Sequence, residues 1–162
     1  MTEYRTGLGC DVHRIAAGRP LRLGGVAIPA EFGFEGHSDA DPLLHAVTDA
    51  ILGAAALGDI GMHFPDTDPQ WAGASSDIFL KHAVRLAREQ GYRLVNVDTT
   101  VILQRPKLKD YRLAIRESLA RTLELGLDRV SVKFKTAEKL GPVGEGLSGE
   151  TQAVVTLVRD HD

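Results

Sequence analysis

Asp11 and His13 stand two positions apart in Arg5 to Ile15, a stretch that reads as a β-strand. Side chains at i and i+2 of a strand leave the same face, so both can reach one ion while Cys10 and Val12 turn the other way. His45, on the helix that follows, offers a third ligand. Two imidazoles and a carboxylate suit a tetrahedral zinc with one position open, which separates a catalytic centre from a structural one. His45 also starts a polar stripe with Thr48 and Asp49, opposite an apolar side of Leu44, Val47, Ile51 and Ala55. That stripe is expected to form the wall of a site.

Other residues fit phosphate chemistry. His37, Ser38, Asp39 and Asp41 lie just before the same helix, where N–H groups and hydroxyls can hold an anion. Plain capping accounts for Asp41 and leaves His37 unexplained. Turn chemistry accounts for most of the carboxylates in Gly58 to Gly61 and Pro65 to Pro69. Glu138 follows Lys133, Lys135 and Thr136 at a predicted strand end; this set suits magnesium with phosphate, and equally a solvated strand end. His63, His82 (on the exposed side of a helix) and His161 (in the tail) receive no role. No Walker A loop and no Gly-x-Ser-x-Gly elbow occur. Any phosphate chemistry must therefore rely on metals.

The elements that position these groups can be read from periodicity and punctuation. After the first strand comes a turn at Gly18-Arg19-Pro20, then a short hairpin over Leu21 to Ile28 interrupted by Gly24-Gly25. Glu31 to Asp41 reads as loop. Asp41 caps a helix with Pro42 at its first position, running to about Leu57 and stopping at Gly58. Asp59 to Gly73 is a second loop. Ser75 or Ser76 caps a helix ending near Gly91, with Phe79, Ala83 and Leu86 on one face. Tyr92 to Leu103 is a strand, Lys109 to Leu125 a helix stopped by Gly126, and Arg129 to Thr136 and Gln152 to Val158 the last strands. Glycine-rich Gly141 to Gly149 lies between them. This order predicts an α+β sandwich, with helices on one face of a mixed or antiparallel sheet.

Bulk properties narrow the function. The chain has 162 residues, expected to form one domain, 1–162. A hydrophobic fraction of 43% and a charged fraction of 25% are those of an ordinary globular protein. A net charge of −3 argues against nucleic acid as the main partner, because no basic excess is available for phosphates. A single cysteine excludes an internal disulfide and fits a reducing cytoplasm. Neither a signal peptide nor a membrane span is evident.

Several segments, in order, carry a resemblance: Gly9-Cys10-Asp11-Val12-His13, His37-Ser38-Asp39-Ala40-Asp41, Leu44-His45-Ala46-Val47-Thr48-Asp49-Ala50 and Leu57-Gly58-Asp59-Ile60-Gly61. Phe64-Pro65-Asp66-Thr67-Asp68-Pro69, Arg105-Pro106-Lys107 and Thr136-Ala137-Glu138-Lys139-Leu140-Gly141 continue it. Over nearly its whole length the chain resembles the 2-C-methyl-D-erythritol 2,4-cyclodiphosphate synthases of the non-mevalonate isoprenoid pathway.

The resemblance implies a homotrimer of ferredoxin-like subunits with active sites at the subunit interfaces. The small-molecule substrate would be 4-diphosphocytidyl-2-C-methyl-D-erythritol 2-phosphate, and the products the cyclic diphosphate and CMP. By position, Asp11, His13 and His45 would bind zinc, and Glu138 would help hold magnesium or manganese between the α- and β-phosphates. His37 and Ser38 would position the methylerythritol phosphate, with Asp49, Asp66 and Asp68 nearby, and Asp59 and Gly61 would contact the sugar portions. Leu103, Pro106, Lys107 and Leu108, with Phe134 and Lys135, would form the cytidine pocket, and Thr136 would contact the diphosphate. Two departures stand out. Gly141-Pro142-Val143-Gly144-Glu145 replaces a Gly-Phe-Thr-Gly-Arg run common in the family, and Lys135 replaces a frequent threonine. Glu145 in place of arginine predicts that no geranyl or farnesyl diphosphate binds in the central cavity of the trimer.

Overall fold

A computed structural model describes residues 1–161 as a mixed sheet under a layer of helices. Strand β1 (Thr2–Ala17) runs antiparallel to β7 (Ser148–Asp160), in register from Thr2 opposite Asp160 to Arg14 opposite Ser148. Beyond Thr2 and Asp160 the ladder continues, because Met1 and His161 exchange backbone hydrogen bonds of 3.0 and 2.8 Å. Strand β5 (Arg93–Ile102) joins β7 antiparallel, and β6 (Val130–Lys135) joins β5 parallel. The parallel pair needs a crossover, which helix α4 (Arg112–Leu123) supplies. Strand β4 (Phe32–Phe34) edges β1, so the sheet order is β4-β1-β7-β5-β6. Strands β2 (Leu21–Leu23) and β3 (Val26–Ile28) form a separate hairpin, turned at Gly24 and Gly25 with φ of +60° and +81°.

Alternation sorts the sheet into two faces. Gly7, Gly9, Val97, Val101, Ala153, Val155 and Leu157 are buried under helices α1 (Pro42–Ala54), α3 (Asp77–Glu89) and α4. Tyr4, Leu8, Cys10 and Val12 occupy the other, exposed face. Helix α1 lies with its backbone directly on β1. A Cβ at Gly9 would fall 1.8 Å from the Ala46 carbonyl oxygen, and one at Gly7 would fall 1.9 Å from that of Ala50. Only hydrogen fits at either place, and that contact brings the start of α1 over Asp11 and His13.

Packing outweighs capping in fixing this helix. Leu43, Leu44, Val47, Ile51 and Leu52 are each at most 3% exposed, and burying such side chains contributes ~1.5–3 kcal/mol apiece, against ~1 kcal/mol for a cap. The Asp41 cap nevertheless has a wider role. Its carboxylate accepts from Leu44 N, and also from Gly24 N and Gly25 N at 2.9 and 2.7 Å, pinning the β2–β3 turn to α1. Complete burial pushes its pKa up against the pull of those three N–H groups.

The structure adds elements that the sequence left as loop. Besides β4, these are α2 (Ile60–His63), a 3-10 turn at Pro69–Trp71 and α5 (Gly141–Gly144). Helix α1 ends at Ala54 rather than near Leu57, and α4 begins at Arg112, after a 3-10 turn at Lys109–Tyr111. Strand β7 extends well beyond the predicted Gln152 to Val158, because β1 offers it a partner along its whole length.

Candidate active site

Asp11 and His13 project from β1 toward α1, and His45 in the first turn of α1 meets them. His13 Nε2 lies 2.8 Å from Asp11 Oδ2, His45 Nδ1 lies 3.1 Å from the same oxygen, and the two nitrogens are 3.3 Å apart. The far side of each ring is engaged. His13 Nδ1 faces the Glu35 carbonyl at 2.5 Å, and His45 Nε2 faces the hydroxyls of Ser76 and Ser38 at 2.8 and 3.2 Å. A carbonyl can only accept, so His13 Nδ1 carries the hydrogen and Nε2 presents a lone pair. Acceptor atoms thus converge on one point, as a cation requires. Two neutral imidazoles and one carboxylate form a donor set that zinc favours.

The charges agree with this geometry. Burial pushes the His13 pKa down, but the bond to Asp11, the charge on that carboxylate, the Glu35 carbonyl and the Asp41 charge outweigh it and hold the ring above its ordinary value. Burial pushes Asp11 up, yet the His13 and His45 rings, in the protonated form each can take in the metal-free site, outweigh it and hold the carboxyl below the usual carboxylate range.

The trio forms the floor of a cavity of about 460 Å³. His37, Ser38, Gly61 and Asp66, expected at the methylerythritol end, line the same cavity. Asp49, Asp59 and Asp68 instead shape its rim. Asp49 accepts from Ile60 N at 2.7 Å, Asp59 caps α2 through Met62 N at 3.0 Å, and the Asp68 carbonyl holds His37 Nε2 at 3.0 Å. Burial and the neighbouring Asp59 and Asp11 charges push the Asp49 pKa up, against the Ile60 hydrogen bond. The polar-stripe reading is corrected at Thr48, which is fully buried and donates to the Leu44 carbonyl at 2.7 Å. Between β1 on one side and α3 on the other, no solvent reaches that position.

The sequence reading missed an apolar wall of Ile60, Phe64, Trp71 and Phe79. Phe64 packs against Phe79 and Trp71 with ring centroids 4.5 and 5.0 Å apart. Three aromatics within sixteen positions of a loop and its following helix were the available signal. His82, read as exposed, is half-buried edge-on to Phe64 at 5.0 Å.

The residues expected at the cytidine and diphosphate end gather elsewhere. Leu103, Pro106, Lys107, Leu108, Phe134, Lys135 and Thr136 line a second cavity of about 240 Å³, which shares no lining residue with the first. Val12 and Ile102 both lie opposite Glu150 of β7, so the two cavities open at the same end of the sheet. From β1 to β6 is three strand spacings, ~14 Å. Glu138 is exposed beside this second cavity, accepts from Thr136 Oγ1 at 3.2 Å, and lies apart from the trio. Glu138 and Lys139 hold φ of +52° and +63°, a left-handed pair without glycine that costs ~1–2 kcal/mol per residue, the kind of strain that gathers at functional sites. The largest groove, about 670 Å³ between β6 and α4, has no histidine in its lining, and Arg116 and Lys133 within it are tied to the Leu127 and Val130 carbonyls and to Asp98.

Known proteins share this sequence and fold. The sequence model of the YgbB family matches residues 4–158. A 2-C-methyl-D-erythritol 2,4-cyclodiphosphate synthase from Solibacter usitatus (strain Ellin6076) is 73% identical over 157 residues, covering 97% of this chain and 99% of the relative. A CDP-bound structure of 2C-methyl-D-erythritol-2,4-cyclodiphosphate synthase superposes with a TM-score of 0.88 at 45% identity, covering 94% and 99% of the two chains. The bifunctional IspDF from Campylobacter jejuni gives a TM-score of 0.95 at 45% identity, with 99% of this chain on 43% of that one. Matched over nearly its whole length in sequence and in fold, this chain belongs to the YgbB family, with relatives named 2-C-methyl-D-erythritol 2,4-cyclodiphosphate synthase.

Proposed function

We propose that the chain is a phosphorus–oxygen lyase of non-mevalonate isoprenoid synthesis. It converts 4-diphosphocytidyl-2-C-methyl-D-erythritol 2-phosphate into 2-C-methyl-D-erythritol 2,4-cyclodiphosphate and CMP. An oxygen of the 2-phosphate attacks the β-phosphorus of the same molecule, and the bond from that phosphorus to the oxygen bridging to CMP breaks. The observation that carries this reading is the convergence of Asp11, His13 and His45 lone pairs on the floor of a cavity large enough for a phosphorylated tetrol.

The attacking and attacked groups are both anionic, and their repulsion must be offset. When bound, zinc at Asp11, His13 and His45, and magnesium or manganese with Glu138, would neutralise phosphate charge and polarise the β-phosphorus. His37 and Ser38 hold the 2-phosphate end, with Asp66 and Gly61 across the cavity and Asp49, Asp59 and Asp68 fixing the rim. Lys107, Leu103, Pro106, Leu108, Phe134 and Lys135 hold the cytidine, and Thr136 orients the diphosphate. No general base is needed, because a phosphate oxygen is already ionised at neutral pH. Intramolecular attack within a fixed pose can supply ~7–11 kcal/mol of the barrier.

The substrate must reach both cavities, and we assign the second to a neighbouring copy in a homotrimer of ferredoxin-like subunits. Support comes from the bare sheet face, where Tyr4, Leu8 and Val12 are 67%, 64% and 61% exposed. We read residues 1–162 as one domain and place the enzyme in the cytoplasm; among the described residues no helix is long and apolar enough to cross a membrane. Phosphorus NMR of protein with substrate, zinc and magnesium tests the reaction. CMP and a cyclic diphosphate are expected; an unchanged spectrum from folded, metal-loaded protein, or a linear product, overturns it.

A further inference from the structure

Ser76 stands where a serine ordinarily caps a helix, immediately before α3, yet its hydroxyl makes no capping bond. It is fully buried and turned instead to His45 Nε2 at 2.8 Å, while donating to Asp39 Oδ1 in a very short contact. Asp39 is itself held from several sides. Its backbone N donates to the Ala74 carbonyl at 2.9 Å, Asp41 N reaches Oδ1 at 3.3 Å, and Arg22 Nε lies 3.6 Å from Oδ2. Ser38 Oγ, which accepts from Ala40 N, lies 3.2 Å from the same histidine nitrogen.

Counting hydrogens gives this chain a direction. A carboxylate can only accept, so the one hydroxyl hydrogen of Ser76 goes to Asp39. The Ser76 oxygen must then accept from His45, which places the ring hydrogen on Nε2. Nδ1 is left with its lone pair facing Asp11 and His13. From this we infer that Asp39 and Ser76 are positioning residues that hold His45 in the tautomer and orientation in which it ligates a metal. The inference rests on the metal reading above. Groups behind a metal-bound histidine typically change metal affinity 10–100-fold.

The test compares wild type with Ser76→Ala and Asp39→Asn. Zinc affinity is measured by competition with a chromophoric chelator, cobalt(II) provides the visible spectrum of the site, and melting of the metal-free proteins checks the fold. The expected result is one zinc per wild-type chain and 10–100-fold weaker zinc in each variant. The cobalt bands should shift, and the metal-free melting temperatures should stay close to wild type. Wild-type zinc affinity and an unchanged cobalt spectrum in a folded variant would overturn the inference. Absence of stoichiometric zinc in wild type would overturn the metal reading itself. Should Ser76→Ala fail to fold, Asp39→Asn, at a partly exposed position, decides alone.

Discussion

His45 sits on a helix pressed backbone-to-backbone against β1, with both ring nitrogens engaged, whereas Lys107 stands exposed on a loop beside an open cavity of half the size. The Asp11, His13 and His45 donors come together within one chain. Regular structure fixes each of them, and hydrogen bonds hold the histidine rings from behind. The end proposed for the nucleotide is a loop and a strand terminus, with Thr136 and Glu138 bonded chiefly to each other. The contrast fits the proposed roles. Lone pairs that hold a metal must be aimed to within a few tenths of an ångström, while a site proposed for a nucleotide must let it enter and leave.

The largest test of this contrast removes one ligand. His45→Ala should abolish stoichiometric zinc and lower turnover about a thousandfold, or ~4 kcal/mol of transition-state stabilisation. Metal analysis and product NMR check it, and full zinc content in the variant would break the assignment. Next is Gly9→Ala, whose methyl collides with the Ala46 carbonyl. A loss of ~3 kcal/mol in unfolding free energy is expected, because backbone must move to admit the group. Denaturant titration reads that loss, and it should carry zinc affinity with it.

Lys107→Ala should raise KM about tenfold, ~1.4 kcal/mol, with kcat within about twofold and zinc content unchanged. A lowered zinc content there would erase the distinction between the two ends. The smallest effect is that of pH. Zinc requires neutral His13, whose pKa is held above its ordinary value, so affinity should weaken as pH falls, beginning above about 6.5 and by less than tenfold per unit. In metal-free protein the sign reverses. The stability contributed by His13 is fully present below about pH 6.5 and is lost as pH rises through its folded pKa. Paired calorimetric titrations and melts across pH 5.5–8.5 would detect either trend.

Much of the metal end was legible because its signals are local. Strand alternation put Asp11 and His13 on one face, and Asp41-Pro42 marked the helix that brings His45. Ser76 was legible only as a cap, since its real partners, His45 and Asp39, are more than thirty positions away. Thr48 failed because helix periodicity gives one buried side, while α1 is covered by the sheet and by α3. Strand β4 is three residues with a central glycine; it exists because β1 runs on to Ala17 and offers an edge. The residues proposed for the nucleotide were named by resemblance alone, because loops carry no periodicity that would say which cavity they line; the structure gathers them around one cavity.

The paired bonds between Met1 and His161 have a practical meaning. Met1 and His161 lie side by side, ten residues along β1 from Asp11, ~33 Å from the proposed metal ligands. A cargo protein or an immobilising support joined next to Met1 or His161 would hang from the far rim of the sheet, away from the cavity that Asp11 lines. A short tether between Met1 and His161 would equally permit circular permutation, with the chain opened at an exposed turn such as Gly18.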